Sequence, residues 1–180
     1  MQLIDKKNIM LRIRNPDKVV NAIPKSKAVG DNQVVVNWGL EEARSLNQLG
    51  IKSPSPIEAK YTWTGRYKPF DHQISTASFL TLHQKGFCFN EQGTGKTASA
   101  IWASDFLMKQ GVINRVLVVC PLSIMDSAWR DDLFTFATHR TVSVAHGSAD
   151  KRKKIVQEGS DYVVINYDGV GIVLDELKKG

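Results

Sequence analysis

No stretch of this chain approaches the ~18 consecutive apolar residues of a membrane span, although its hydrophobic share of 42 % is ordinary for a globular protein. The opening residues, Met1-Gln2-Leu3-Ile4-Asp5-Lys6-Lys7, lack the apolar core of a signal peptide. Cysteine is scarce. Cys88 and Cys120 both fall in expected buried strands. They read as small apolar core residues of a reducing, cytoplasmic compartment, not as metal or redox groups. No internal repeat or low-complexity segment is visible. A length of 180 residues allows one domain, or one domain with a small module. The net charge of +6 is uneven. Residues 1–66 carry 11 Lys/Arg against 6 Asp/Glu, and residues 67–180 carry 13 against 12. A basic N-terminal third suits a nucleic-acid backbone, or is a solvated face of scattered lysines.

Two patterns divide the chain. In the first part, residues 8–14 read as a strand, Pro16 and Asp17 open a short helix to Ala22, and Gly30-Asp31-Asn32 marks a turn. Val34 to Trp38 is a second strand. Gly39 to Leu49 is a helix with Leu40, Ala43, Leu46 and Leu49 on one face, stopped by Gly50. Ser53-Pro54-Ser55-Pro56 then reads as an extended linker. The expected organisation is a small basic α/β module over 1–55, a linker over 56–66 and a nucleotide-binding portion over 67–180. The second part alternates helices and strands: helix 71–84, strand 86–89, helix to 110 ended by Gly111, strand 115–120, helix 123–137, strand 141–145, helix 150–158, strand 161–166 and helix 169–179. Such alternation argues a parallel sheet with helices on both faces. Met125, Trp129, Leu133 and Phe136 lie at helical spacing, which makes Trp129 a core residue rather than a ligand.

Asn90-Glu91-Gln92-Gly93-Thr94-Gly95-Lys96-Thr97 is the most informative segment. It follows the apolar run Gly86-Phe87-Cys88-Phe89 and precedes a helical pattern, the context of a phosphate-binding P-loop. Gly93 and Gly95 let main-chain N–H groups approach an anion, and the helix N-terminus adds partial positive charge. Lys96 is placed to reach the β- and γ-phosphates of a nucleoside triphosphate, and the Thr97 hydroxyl to hold Mg²⁺. Asn90 stands where the general consensus has an early glycine.

An acidic residue and a bulky one before Gly-x-Gly-Lys-Thr resemble motif I of superfamily 2 helicases, in particular the Swi/Snf-like DNA translocases. Further segments resemble that group in the right order. Tyr67-Lys68-Pro69-Phe70-Asp71-His72-Gln73 is similar to the Q-motif region. There a glutamine, Gln73 in this chain, reads adenine through one donor and one acceptor, and Phe70 belongs to the same nucleotide site. Val119-Cys120-Pro121-Leu122-Ser123-Ile124-Met125 resembles motif Ia, in which a Pro-Leu-Ser turn meets DNA phosphates. Ser123 reads alternatively as a helix cap. His146-Gly147-Ser148, followed by Lys151-Arg152-Lys153-Lys154, resembles the group's strand-end His-Gly segment and basic helix, though the four charges also suit a solvated face. Val163 to Asp168 resembles a later strand that ends on the DNA track, with Asn166 in place of the usual hydroxyl residue and Tyr167 after it.

The resemblance, over residues 66–180, implies the first RecA-like helicase domain, incomplete, behind the small module. It implies ATP and Mg²⁺ as cofactors, with Lys96 as the catalytic cation, Gln92, Gly93, Thr94, Gly95 and Thr97 around the phosphates, and DNA, duplex or branched, as partner. The first part resembles the accessory module of HARP-type annealing helicases through Ile23-Pro24, the Trp-ended strand and the helix ending in Leu-Gly-Ile. The group's Asp-Glu-x-His segment is not found. The pair Asp175-Glu176 follows Tyr167 by only eight residues and reads as part of an amphipathic helix. The expectation is therefore the N-terminal part of a longer motor, with a sheet edge left open to self-association. A non-catalytic nucleic-acid or protein-binding module is the alternative. An unrelated P-loop kinase is a third reading, opposed by the Pro-Leu-Ser segment.

Overall fold

The computed structural model describes residues 2–5 and 7–178. They form two compact units, Met1–Thr62 with Ile74–Phe87, and Trp63–Gln73 with Cys88–Gly180.

The first unit is built on alternation. Strands β1 (Gln2–Leu3), β2 (Asn8–Arg12), β3 (Ser26–Ala28) and β4 (Gln33–Asn37) make an antiparallel sheet in the order β1-β2-β4-β3. Ile9 faces Val36 and Leu11 faces Val34 across the ladder. This register puts all four on one buried face with Val19, Ile23, Trp38, Ala43 and Leu46. Helix α1 (Pro16–Ala22) opens as its sequence demands, with Pro16 in the first turn and the Asn15 side chain accepting from the Lys18 N–H. Helix α2 (Leu40–Gln48) ends in a Schellman motif, Gly50 N–H to Asn47 and Ile51 N–H to Leu46. Helix α3 (Ile57–Lys60) follows, and α4 (Asp71–Leu82) belongs to this unit from Ile74 onward. The Ser-Pro-Ser-Pro stretch is packed. Ser53, Ser55 and Pro56 are buried, the Ser55 and Thr81 hydroxyls are 2.6 Å apart, and Trp38 Nε1 donates to the Pro54 carbonyl at 3.0 Å.

In the second unit, helix α5 (Lys96–Lys109) and strands β5 (Val116–Cys120), β6 (Val142–Ala145) and β7 (Tyr162–Asn166) lead the architecture. The strands form a parallel sheet in the order β5-β7-β6. β7 is buried along its whole length, as a central strand covered on both faces must be. Its alternate residues serve two cores. Tyr162 and Val164 join Val118, Cys120, Ile101 of α5 and Leu133 on one side. Val163 and Ile165 join Ala145, Val156 and Val173 on the other. The opposite layer comes from helices α7 (Ala149–Gln157), α8 (Tyr167–Ile172) and α9 (Leu174–Leu177), while α6 (Asp131–Phe136) lies on the α5 side.

Three expectations are corrected. Residues 86–89 carry no strand and join neither sheet. Phe87 and Phe89 are 81 % and 88 % exposed. A strand is defined by its ladder, and apolar β-formers alone do not make one. The single helix expected at 123–137 is a 3₁₀ turn (Leu122–Ile124), a π-helix (Met125–Arg130) and α6. The wider π-turn still buries Met125 and keeps Trp129 against the core. The helix expected at 169–179 starts at Tyr167 and breaks at Val173; its expected end, Lys179, lies outside the described residues.

Candidate functional site

The glycine-rich loop is shaped by backbone chirality. Gly93 and Gly95 have φ of 80° and 75°, a region that other residues enter with strain. They differ in surroundings. A Cβ at Gly93 would meet nothing within 4 Å, whereas one at Gly95 would overlap the Gln73 amide nitrogen. Gln73 therefore lies directly on the loop. Its Nε2 donates to the Thr94 carbonyl at 3.3 Å, and its Oε1 accepts from the Phe70 N–H at 3.0 Å. The same Thr94 carbonyl is 3.0 Å from His72 Nε2, a residue the sequence reading passed over. Phe70 is exposed and stacks on the His72 ring at 5.7 Å.

Lys96 folds back on the loop, its Nζ donating to the carbonyls of Asn90 at 2.9 Å and Glu91 at 2.7 Å. Thr94 Oγ1 donates to Glu91 as well, at 2.8 Å. Lys96 and Thr97 occupy the first turn of the 14-residue α5, which carries no acidic residue there to oppose an anion. These residues fit a nucleoside triphosphate. The donors are main-chain N–H groups, a helix N-terminus and an ammonium whose acceptors are carbonyl oxygens that phosphate oxygens can replace. Among the described residues no group of three or more His, Cys, Asp or Glu could hold a metal. Thr97, in the first turn of α5, is the residue that would offer a hydroxyl to a Mg²⁺ brought by the nucleotide, a cation that takes oxygen ligands.

The far end of α5 is fixed by charge. Asp105 is fully buried and receives Arg140 Nε at 2.6 Å and Lys109 Nζ at 2.9 Å, with His139 Nε2 2.9 Å away. Arg140 also reaches Asp161 at 3.2 Å. A buried carboxylate needs such partners. Burial works to raise the Asp161 carboxyl, but hydrogen bonds from the Thr141 N–H and hydroxyl and the Arg140 charge hold it below the usual range. Tyr162, beside this group, is pushed up to about 12, chiefly by burial. Sequence reasoning missed this cluster; isolated charges inside apolar elements, Asp105 above all, were the available signal.

A parallel sheet presents all its strand C-termini on one rim, and six of the sequence candidates lie there. Pro121 and Ser123 follow β5, His146 and Gly147 follow β6, and Asn166 and Tyr167 end and follow β7. All are exposed except Asn166. Ser123 lies inside the 3₁₀ turn and caps no helix. Asn166 is occupied, its Oδ1 accepting from Arg152 Nη1 at 2.7 Å. The rejected pair Asp175-Glu176 belongs to α9, and Glu176 lines a cavity with Asn114, Arg115 and Val116, at the opposite end of β5 from the rim.

The SNF2-related domain family matches residues 32–180. Among solved structures, the chain is similar to the SWI2/SNF2 ATPase core of Sulfolobus solfataricus in complex with dsDNA, at 28 % identity and a TM-score of 0.51. That likeness covers 59 % of this chain and 23 % of the other, so this chain spans less than a quarter of that protein's length. No curated protein matches. No described helix is long and apolar enough to cross a membrane. A family match over most of the residues, joined to a P-loop and a parallel sheet, places this chain in the SNF2-related domain family, the Swi/Snf-like group of superfamily 2 motors.

Proposed function

We propose that this chain is the ATP-binding and first DNA-contacting part of a DNA-dependent translocase or helicase motor. The observation that supports it best is the P-loop whose Gly95 is pressed against Gln73. That contact joins the phosphate loop to the residue suited to an adenine edge. In this reading Gly93 to Gly95 cradle the phosphates, Lys96 binds the β/γ oxygens, Thr97 holds Mg²⁺ and Phe70 lies against the base. An amide has two N–H groups and two lone pairs, so Gln73 keeps one of each for adenine beyond its present bonds. Pro121, Ser123, His146, Gly147, Asn166 and Tyr167 form the DNA rim.

Phosphoryl transfer also needs an acid for the metal and positive charge at the transition state. Asp175-Glu176, at the wrong end of β5, does not supply the acid. These 180 residues then bind nucleotide without turning it over. Titration with a fluorescent ATP analogue and Mg²⁺ tests this, with ATP and GTP as competitors. Competition by ATP and no hydrolysis above background are expected. Steady DNA-stimulated hydrolysis would return Asp175-Glu176 to consideration, and absence of nucleotide binding would end the proposal.

A specific observation favours the alternative of a binding module. Among the described residues β5 has a neighbour only in β7, and Leu117 and Val119 on it are 39 % and 38 % exposed. An apolar edge of this kind pairs readily with another chain. Light scattering over a concentration series should show self-association. A strictly monomeric species would remove this reading and leave the nucleotide site standing.

A further inference from the structure

Of the four basic residues on α7, Arg152 forms two hydrogen bonds across the rim, and the Lys151 chain lies against Gly147. Arg152 Nε donates to the Gly147 carbonyl at 2.9 Å, and its Nη1 to Asn166 Oδ1 at 2.7 Å. Gly147 follows β6 and Asn166 ends β7, adjacent strands paired through Ala145 and Ile165. The ladder stops there, and Arg152 continues the connection beyond it. Asn166 precedes α8 but its side chain does not cap that helix, so its carbonyl oxygen is left to Arg152. Gly169 makes the room: a Cβ there would overlap Arg152 Nη1. Only arginine offers a planar fork that reaches two acceptors from one position; a lysine ammonium is a single point.

We propose that Arg152 is a positioning residue for DNA binding. It sets the spacing between the His146-Gly147 turn and the Asn166-Tyr167 turn, and makes no phosphate contact of its own. The exposed Lys154 on the same helix is left to face the DNA backbone. The inference rests on the DNA reading proposed above, and it removes Asn166 Oδ1 from the direct contacts and leaves that strand end to Tyr167.

The salt dependence of binding separates the two roles. Each phosphate neutralised contributes ~0.9 to the slope of log affinity against log salt. A labelled duplex is titrated with the 180-residue chain by fluorescence anisotropy across a salt series, and each variant's melting temperature is recorded. Arg152→Ala should weaken binding roughly tenfold, the scale of losing charge-assisted hydrogen bonds, with the slope unchanged. Arg152→Lys should fail to restore affinity although it keeps the charge. Asn166→Ala should weaken binding by itself and add little when combined with Arg152→Ala. Lys154→Ala should make the slope shallower. The inference is overturned if Arg152→Ala flattens the slope by about one phosphate and Arg152→Lys rescues it, or if Arg152→Ala binds as the parent does. Should Arg152→Ala melt early, Arg152→Lys decides alone, since full affinity in it refutes the fork. A parent chain that binds no duplex would instead sink the DNA reading, and this inference with it.

Discussion

The phosphate loop and the strand-end rim belong to one compact unit and both follow apolar runs, yet they are held by different means. The rim continues from a sheet whose central strand is paired on both sides, and Arg152 ties two of its turns. The segment leading into the phosphate loop joins no ladder. The loop is shaped by left-handed glycines and by side chains that converge on single carbonyls: His72 and Gln73 on Thr94, Lys96 and Thr94 on Glu91. A ladder shares its load over many bonds, whereas a loop held at one carbonyl depends on each. Single substitutions should therefore disturb the loop sharply and the rim gradually.

Lys96 is the largest expected effect. In the proposed nucleotide site, Lys96→Ala would remove the ammonium that meets the phosphates and should weaken the ATP analogue on the order of 100-fold, by the scale of charged hydrogen bonds. The melting temperature should barely change, because the lysine bonds only loop carbonyls. In any longer form that hydrolyses ATP, turnover should vanish. Nucleotide binding at the parent level would remove Lys96 from the site.

The two glycines sharpen the contrast. Gly93→Ala and Gly95→Ala both place a side chain at positive φ, a strain of about 1–2 kcal/mol. Gly95→Ala also drives a methyl into Gln73. It should lose clearly more nucleotide affinity than Gly93→Ala. Equal losses would mean that the Gln73 contact does not hold the loop. Gln73→Ala tests the contact from the other side and should narrow the preference for ATP over GTP by roughly 1–3 kcal/mol, by analogy with other bidentate base contacts. If the parent chain competes equally well with both nucleotides, Gln73 has no part in base choice.

The same contrast explains what could be read in advance. The glycines of the phosphate loop, the Schellman ends at Gly50 and Gly111 and the apolar strand at 115–120 are local devices, and local chemistry specifies them. Gly86-Phe87-Cys88-Phe89 has strong strand chemistry and no strand, because pairing is a non-local property. The 3.6-residue rhythm of Met125, Trp129, Leu133 and Phe136 is real, but it does not distinguish one helix from a π-turn followed by a shorter one. β3 escaped notice since Ser26-Lys27-Ala28 is short and polar, and its partner β4 makes it a strand. Residue types marked the glycine loop and the three strand ends as candidates. They could not show that Asn166 is already engaged, nor that Arg152 bonds across two of those ends.

Asp161 gives the smallest effect and the cleanest sign. It lies at the start of β7, away from the rim, where Thr141 and Arg140 hold its carboxyl below the ordinary value of 3.8. A depressed folded value means that the unfolded chain binds the proton first as pH falls. The stabilisation is then complete above that ordinary value and is lost as pH drops through the folded one. Asp161→Asn should lower stability by roughly 1–2 kcal/mol at neutral pH, the range for charged hydrogen bonds discounted for partial exposure. Urea unfolding of parent and variant, in a series descending from pH 7, should show a gap that is constant until the carboxylate range and then closes. A gap that widens toward acid would reverse the assignment. At neutral pH the variant should bind the ATP analogue as the parent does, because Asp161 braces the end of α5 remote from Lys96. Loss of nucleotide affinity in step with stability would show instead that the brace at Asp105 and the phosphate loop act as one unit, and the two regions would no longer be separable.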